Sequence, residues 1–458
     1  MSRWPPATVS AIITTHNRAA LLPEALDSVY AQEGAGTQFE LDVIVVDDAS
    51  TDSTPEVVRC YPRVKYIRFP ANRGVSAARN AGIRASRSTY VAFLDDDDLW
   101  LPCKLRRQVP ALEGRPDAGV VYSQNIVRSG KTEVLWPDPG EAPSGSVFRA
   151  LLMDHFFGPG VHSFLVRRAA FSRVGYFDES LHSAEDYDMW LRLAFQFPFI
   201  FIPGAVAIYR TSPHGKFGTL LAHGCAEQPV RRVYAKALGM LPDSRAIAEM
   251  KDRARAHMEL RIALQMSASG RLGEARALTI AVLRAFPGVV DDHSARVFFS
   301  QLANRFLASD SPIGHVWGLP DEFKAALSTH APRFLGRTRL HWVLSDLWAG
   351  IATGLSFGPK ADHRLAGRAA LLAVLHEPSK IRRKNLLWYM ARAVVGHRWV
   401  DALVALRPQR NGRPAASRRV PAIVLARIRG HVQPLAAQAH LRPREAFPMP
   451  RPIPKIRA

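Results

Sequence analysis

The chain of 458 residues is 47% hydrophobic and 22% charged, an ordinary globular composition that predicts two to four domains at roughly 100–200 residues each. Its three cysteines, Cys60, Cys103 and Cys225, are too few and too scattered for a disulfide framework or a metal-ligand motif, and read as buried thiols in a reducing, cytoplasmic setting. The formal charge of +21 is lopsided: residues 1–213 carry 22 Lys/Arg against 24 Asp/Glu and residues 214–458 carry 39 against 16, so two different objects are expected to join near residue 214.

Residues 9–14 form a short apolar run suited to a buried strand, and residues 19–31 follow with helical spacing at Leu22, Ala25, Leu26 and Val29. Residues 41–46, 64–69 and 90–94 read as further buried strands, separated by helices at 54–61 and 76–86. This alternation predicts an α/β domain on a mostly parallel, Rossmann-like sheet, with ligands at the carboxyl ends of its strands. Polar residues gather at those ends: Thr15 to Arg18, Asp47-Asp48, and Asp95 to Asp98. Residues 187–196 read as a helix.

From about residue 225 the strand signal fades. Residues 245–270 and 272–286 read as a helical hairpin turning at Gly270, similar to one tetratricopeptide unit without a second copy. More helices are expected at 339–353, 365–375 and 384–395. From Arg407 on there are 12 Lys/Arg and one acid among frequent prolines, which predicts an extended tail. The expected organisation is an α/β domain over 1–213, a basic, mainly α-helical domain over 214–406, and a Pro/Arg-rich tail over 407–458. No run of about 18 uncharged apolar residues suggests a spanning helix, and the first residues lack a signal-peptide stretch.

Chemistry concentrates in Asp95-Asp96-Asp97-Asp98, directly after the apolar run Val91 to Leu94. Four like charges at a strand end repel one another and become sensible if a divalent cation, Mg²⁺ or Mn²⁺, neutralises them; such an ion also offsets charge on a departing phosphate. The bland alternative is a solvated acidic turn capping a helix opened by Leu99 to Pro102. Asp47-Asp48 adds a second acidic strand end, where a carboxylate can accept a hydrogen bond from a uracil imide or a ribose hydroxyl. Ser50, Thr51 and Asp52 read as caps of the next helix.

Together these segments resemble the family 2 glycosyltransferases, which have the GT-A fold. The matching blocks are Ser10 to Arg18, Val45 to Asp52, Asn72 to Gly82, Phe93 to Asp98, and Val174 to Glu179 followed by Ala184-Glu185-Asp186-Tyr187-Asp188-Met189-Trp190-Leu191-Arg192. The resemblance covers about residues 7–212. It implies an inverting enzyme moving a sugar from a nucleotide-diphosphate donor, a UDP-sugar first among them, to a glycan or lipid-linked acceptor in polysaccharide or glycoconjugate synthesis.

The resemblance also assigns roles. Thr15, His16, Asn17 and Arg18, with Asp47 and Asp48, hold base and ribose, and Arg79 lies near the base or diphosphate. Asp95, Asp96 and Asp97 form the Asp-x-Asp motif, with Asp97 and Asp95 as metal ligands. Asp186, with Glu185 beside it, matches the general base, and His214, separated from Tyr209-Arg210 by three residues, is a further metal ligand. Considered alone, Glu185-Asp186 also reads as an acidic pair favoured by a helix dipole. The basic half reads as a patch for an anionic membrane surface, placing the protein peripherally at the inner face, or as a plain solvated surface. Trp317, Trp342, Trp348, Trp388 and Trp399 read mostly as core residues there. Nucleic-acid binding lacks a zinc knuckle, helix-turn-helix or stacking motif to support it. A nucleotidyltransferase would need a glycine-rich, lysine-bearing loop after the first strand. The non-enzymatic alternative is a scaffold that binds nucleotide sugars without turnover. Sugar selectivity is expected from residues 123–125 and 156–162.

Overall fold

The computed structural model describes residues 7–130, 132–137, 142–153, 160–211 and 227–291, with scattered positions up to residue 373. The chain divides into two compact units, residues 1–258 and 259–458. The expected boundary near residue 214, and His214 itself, lie outside the described residues, as do the tail and all five tryptophans of the basic half except Trp348, which is buried.

In the first unit, β1 (Ala7–Thr15), β2 (Phe39–Asp47), β3 (Val64–Arg68) and β4 (Tyr90–Asp95) pair in parallel in the order β3-β2-β1-β4. The intervening helices are α1 (Leu22–Tyr30), α2 (Thr54–Arg59) and α3 (Val75–Ala85). In α1, Leu22, Ala25, Leu26 and Val29 are buried on one helical face, and Pro23 and Glu24 occupy its first turn, where a missing N–H and a negative charge are tolerated best. Register aligns Thr15 with Asp47 and Thr14 with Asp95, so the three strands end on one rim.

Beyond β4 the sheet is mixed, which the expectation of a mostly parallel sheet did not anticipate. The two-residue strand β5 (Leu99–Trp100) pairs antiparallel with β9 (Phe199–Arg210). Leu99 and Trp100 therefore continue the sheet instead of opening a helix; α4 starts at Lys104 and runs to Glu113. β6 (Val120–Ser129) and β7 (Thr132–Trp136) form a hairpin, and β8 (Phe164–Arg167) joins β4 to β6 in antiparallel pairing. The pairing of β6 with β9 is parallel. The full order is β3-β2-β1-β4-β8-β6-β9-β5. Helices α5 (Phe148–Met153), α6 (Phe171–Val174), α7 (Glu185–Gln196) and α8 (Glu227–Gly239) complete the described part of this α/β unit.

Helix α3 lies so close to β1 that a Cβ on Gly82 would stand 2.4 Å from Ile12 Cγ2, and Ile12 is fully buried. Gly82→Ala is expected to destabilise the fold by about 1–3 kcal/mol, read as a lower midpoint in urea unfolding.

Next come α9 (Arg245–Ala268) and α10 (Leu272–Ala285), joined at Gly270, whose φ of +81° suits glycine. This is the expected helical hairpin. Among the described residues, no helix is long and apolar enough to cross a membrane.

Candidate active site

The four aspartates after β4 alternate in environment. The side chains of Asp95 and Asp97 are 27% and 28% exposed, whereas those of Asp96 and Asp98 are 5% and 1% exposed. The chain turns after Asp95, with the Asp98 N–H bonded to the Asp95 carbonyl at 3.1 Å, and this turn leaves Asp95 and Asp97 partly exposed while Asp96 and Asp98 point into the protein. Arg18 Nη1 donates to Asp96 Oδ1 at 2.9 Å and also pairs with Asp97. Burial, with Asp98 and Asp95 adding like charge, raises the Asp97 carboxyl above its ordinary value. Open, crowded carboxylates fit a hard dication held by one or two acids plus a ligand's phosphates, which needs no all-protein cage. Among the described residues, no group of three His, Cys, Asp or Glu could hold a metal ion unaided.

Asp96 is pushed up to about 7, chiefly by burial, with Arg18 opposing. In the unfolded chain it titrates at roughly 3.9. Folding therefore favours its protonated form, and the stability this contributes is full below pH ~4 and is lost as pH rises through 7. The melting temperature of wild type is expected to fall more between pH 5 and 8 than that of Asp96→Asn, whose side chain cannot ionise. Scanning calorimetry of both proteins across this range checks it.

The loops after β1 and β2 are stitched together. Asn17, at φ +54°, donates its N–H to Ser50 Oγ (2.9 Å) and accepts from Thr51 N (2.7 Å). The exposed His16 ring places Nδ1 2.7 Å from the Asp48 carbonyl. Thr15 is buried at the end of β1. Asp47 accepts from Ser50 N (2.8 Å) and Tyr66 Oη (2.5 Å), and Asp48 accepts from the N–H groups of Arg73 (2.6 Å) and Gly74 (2.7 Å). Both carboxylates thus accept hydrogen bonds from the protein itself, one at each oxygen, and each oxygen keeps a further lone pair.

Arg79 is buried in α3. Its Nη2 donates to Asp95 Oδ1 at 2.8 Å and its Nη1 to Glu185 Oε1 at 3.0 Å. Burial alone would lower the guanidinium, but the two carboxylates raise it. The same bond keeps Asp95 below its usual range against the effect of burial. Arg79 therefore joins the end of β4 to the start of α7, nearly a hundred residues later. Glu185 is committed to this bridge. Asp186, half-buried in the first turn of α7, accepts from Tyr187 N at 2.7 Å. The helix starts from Ala184 at φ +58°, a left-handed conformation costing on the order of 1–3 kcal/mol and found mainly where function holds it.

Two residues to which the sequence reading gave no contact with the aspartates, Arg210 and His162, complete the rim. Arg210 donates its N–H to Asp98 Oδ1 at 2.8 Å, its guanidinium bonds the Asp97 carbonyl and pairs with Glu24 at 2.5 Å. His162, fully buried, stacks on Tyr209 at 5.3 Å between ring centroids, and its Nδ1 lies 3.0 Å from Asp98 Oδ2 without hydrogen-bond alignment. The Tyr-Arg pair at the end of β9 was visible in sequence, but the pairing of the preceding Ala207 and Ile208 with β5 was not. Of the expected selectivity residues, 123–125 and 160–162 lie in β6 and just before β8, mostly buried, while 156–159 fall outside the described residues. Cys60 is exposed, contrary to expectation, because it follows the last turn of the short surface helix α2.

The profile of Glycosyl transferase family 2 matches residues 10–175. An uncharacterized glycosyltransferase of Haemophilus influenzae is 32% identical over 190 residues, covering 40% of this chain and 61% of that protein. The succinoglycan biosynthesis protein ExoO of Rhizobium meliloti is 32% identical over 193 residues, covering 39% of this chain and 53% of that one. The chain thus spans between half and two thirds of the length of these relatives. Among solved structures, S. aureus TarS 1–349 in complex with UDP aligns at 18% identity and TM-score 0.45, covering 71% of this chain and 91% of that one. The mannosyltransferase PcManGT of Pyrobaculum calidifontis with GDP-Man and Mn²⁺ aligns at 20% identity and TM-score 0.44, covering 76% and 88%. With five motif blocks in order and the matched profile, residues 10–175 are similar to Glycosyl transferase family 2 and lie on a mixed α/β sheet.

Proposed function

We propose that the protein is an inverting glycosyltransferase that moves a sugar from a nucleoside-diphosphate donor to an acceptor hydroxyl in polysaccharide or glycoconjugate synthesis. The observation that carries this reading is the Arg79 bridge, which joins Glu185 in the first turn of α7 to Asp95 at the end of β4. Asp186 is the base. A sugar hydroxyl is a poor nucleophile, and taking its proton during attack is worth about 10²–10⁴ in rate. Glu185 is held by Arg79 and orients the turn.

The donor's base and ribose lie against residues 15–18, Asp47 and Asp48. Asp97 and Asp95 would hold Mg²⁺ or Mn²⁺, which offsets charge on the departing diphosphate. Attack on the anomeric carbon from the face opposite the nucleotide turns an α-linked donor into a β-linked product. The charge carried by residues 214–458 supports work at an anionic membrane surface on a lipid-linked acceptor.

Thermal shift with UDP, GDP and dTDP, with and without Mn²⁺, tests the donor site. A metal-dependent rise with one nucleotide is expected, UDP being the first candidate. A protein stabilised by none of them would contradict the reading.

A further inference from the structure

The base-bearing turn of α7 begins at a strained corner, and something must hold it. The loop leading into it is gripped along its length. Asn80 on α3 brackets Phe177, donating to its carbonyl at 2.9 Å and accepting its N–H at 2.8 Å. Arg192 on α7 donates to the carbonyls of Val174 (2.6 Å) and Tyr176 (2.9 Å). Across the corner itself the link comes from α8, which lies beyond the segment matched by the family profile and beyond the domain boundary expected from charge. Lys236 Nζ lies 2.9 Å from Asp178 Oδ2 in the loop and 2.6 Å from Asp188 Oδ1 in the first turn of α7. Asp188 is 2% exposed, and its other oxygen takes Arg192. Although burial pushes the Asp178 carboxyl up, Ser180 and Lys236 hold it well below the usual carboxylate range. Beside this staple, Tyr234 of α8 and Tyr187, the neighbour of Asp186, bring their hydroxyls to 3.1 Å of each other, while those hydroxyls donate to the carbonyls of Leu152 and Leu151 in α5.

We propose that Lys236 is a positioning residue for the base Asp186: by bridging Asp178 and Asp188 it closes the loop around left-handed Ala184 and fixes the direction in which the first turn of α7 presents Asp186. This rests on the assignment of Asp186 as base. A strained φ persists only where its surroundings over-determine it, and one ammonium tied to both flanks of the corner supplies that constraint. The consequence is that the catalytic unit needs α8, whose residues 227–239 serve the transfer reaction by positioning its base.

The test uses the full-length protein and follows release of nucleoside diphosphate from donors such as UDP-glucose, UDP-galactose, UDP-GlcNAc and GDP-mannose, with Asp186→Asn as the control. A reacting group displaced by ~1 Å loses on the order of 10²-fold in rate, so Lys236→Met is expected to lower kcat at least ~10-fold while donor KM and nucleotide Kd stay within ~3-fold. Lys236→Arg, which can span the same two carboxylates, is expected to restore most of kcat. Hydrogen exchange should quicken in a peptide spanning Ala184 to Met189 of Lys236→Met and remain unchanged in β1 to β4. A kcat within about twofold of wild type, or a loss of kcat matched by equal losses of nucleotide affinity and melting temperature, would overturn the proposal. If wild type turns over donor and Asp186→Asn does so equally well, the base assignment fails, and the role of Lys236 fails with it.

Discussion

Asp186→Asn is expected to lower kcat by about 10²–10⁴ while leaving nucleoside-diphosphate affinity unchanged. The amide keeps the size and the hydrogen bond to Tyr187 N, so the first turn of α7 holds its geometry, and only the capacity to accept the acceptor's proton is lost. Glu185 cannot take over, because its carboxylate is bound to the buried Arg79 guanidinium at 3.0 Å. Steady-state kinetics beside calorimetric titration of the nucleotide separates the two effects. Equal turnover by mutant and wild type would remove Asp186 from the chemistry.

The second large effect is expected at Asp97. Nucleotide at 100 Kd in the presence of Mn²⁺ stabilises by about 2.7 kcal/mol in total, and Asp97→Ala should abolish the Mn²⁺-dependent part of that stabilisation. Without ligand it should alter stability little, because Asp97 is 28% exposed and Arg18 keeps its bond to Asp96. Asp95→Ala makes a useful contrast: it removes one of the two carboxylates around buried Arg79, so it should lower the melting temperature of the free protein as well. A metal response unchanged in Asp97→Ala would move the ion elsewhere.

Much of this was legible in the sequence wherever the physics is local. The strand–helix alternation through residue 95 located β1 to β4 and α1 to α3 to within a few residues, because β1, β2 and β4 each contain a short apolar run and α1 repeats its apolar residues at helical spacing. The second half of the sheet was not legible. β5 is two residues long and takes its identity from Ile208 and Ala207 of β9, a pairing that no local pattern encodes. The same holds for the site. The motif blocks brought Asp95, Arg79 and Glu185 into one list, but the sequence could not say that a single guanidinium joins Asp95 to Glu185, nor that Asp47 and Asp48 accept bonds from Ser50, Tyr66, Arg73 and Gly74. Lys236 carries no local signal: its partners Asp178 and Asp188 lie some fifty residues upstream, and the charge asymmetry of the chain argued for a boundary before it.

The most direct test of the central claim is the product itself. Proton NMR of the protein with an α-linked UDP- or GDP-sugar, Mn²⁺ and methanol in large excess as a simple acceptor reads both release of the nucleotide and the configuration of the methyl glycoside, which does not mutarotate. A metal-dependent methyl β-glycoside, lost in Asp186→Asn, is the predicted result. An α-glycoside, or no turnover of any donor that binds, would contradict it.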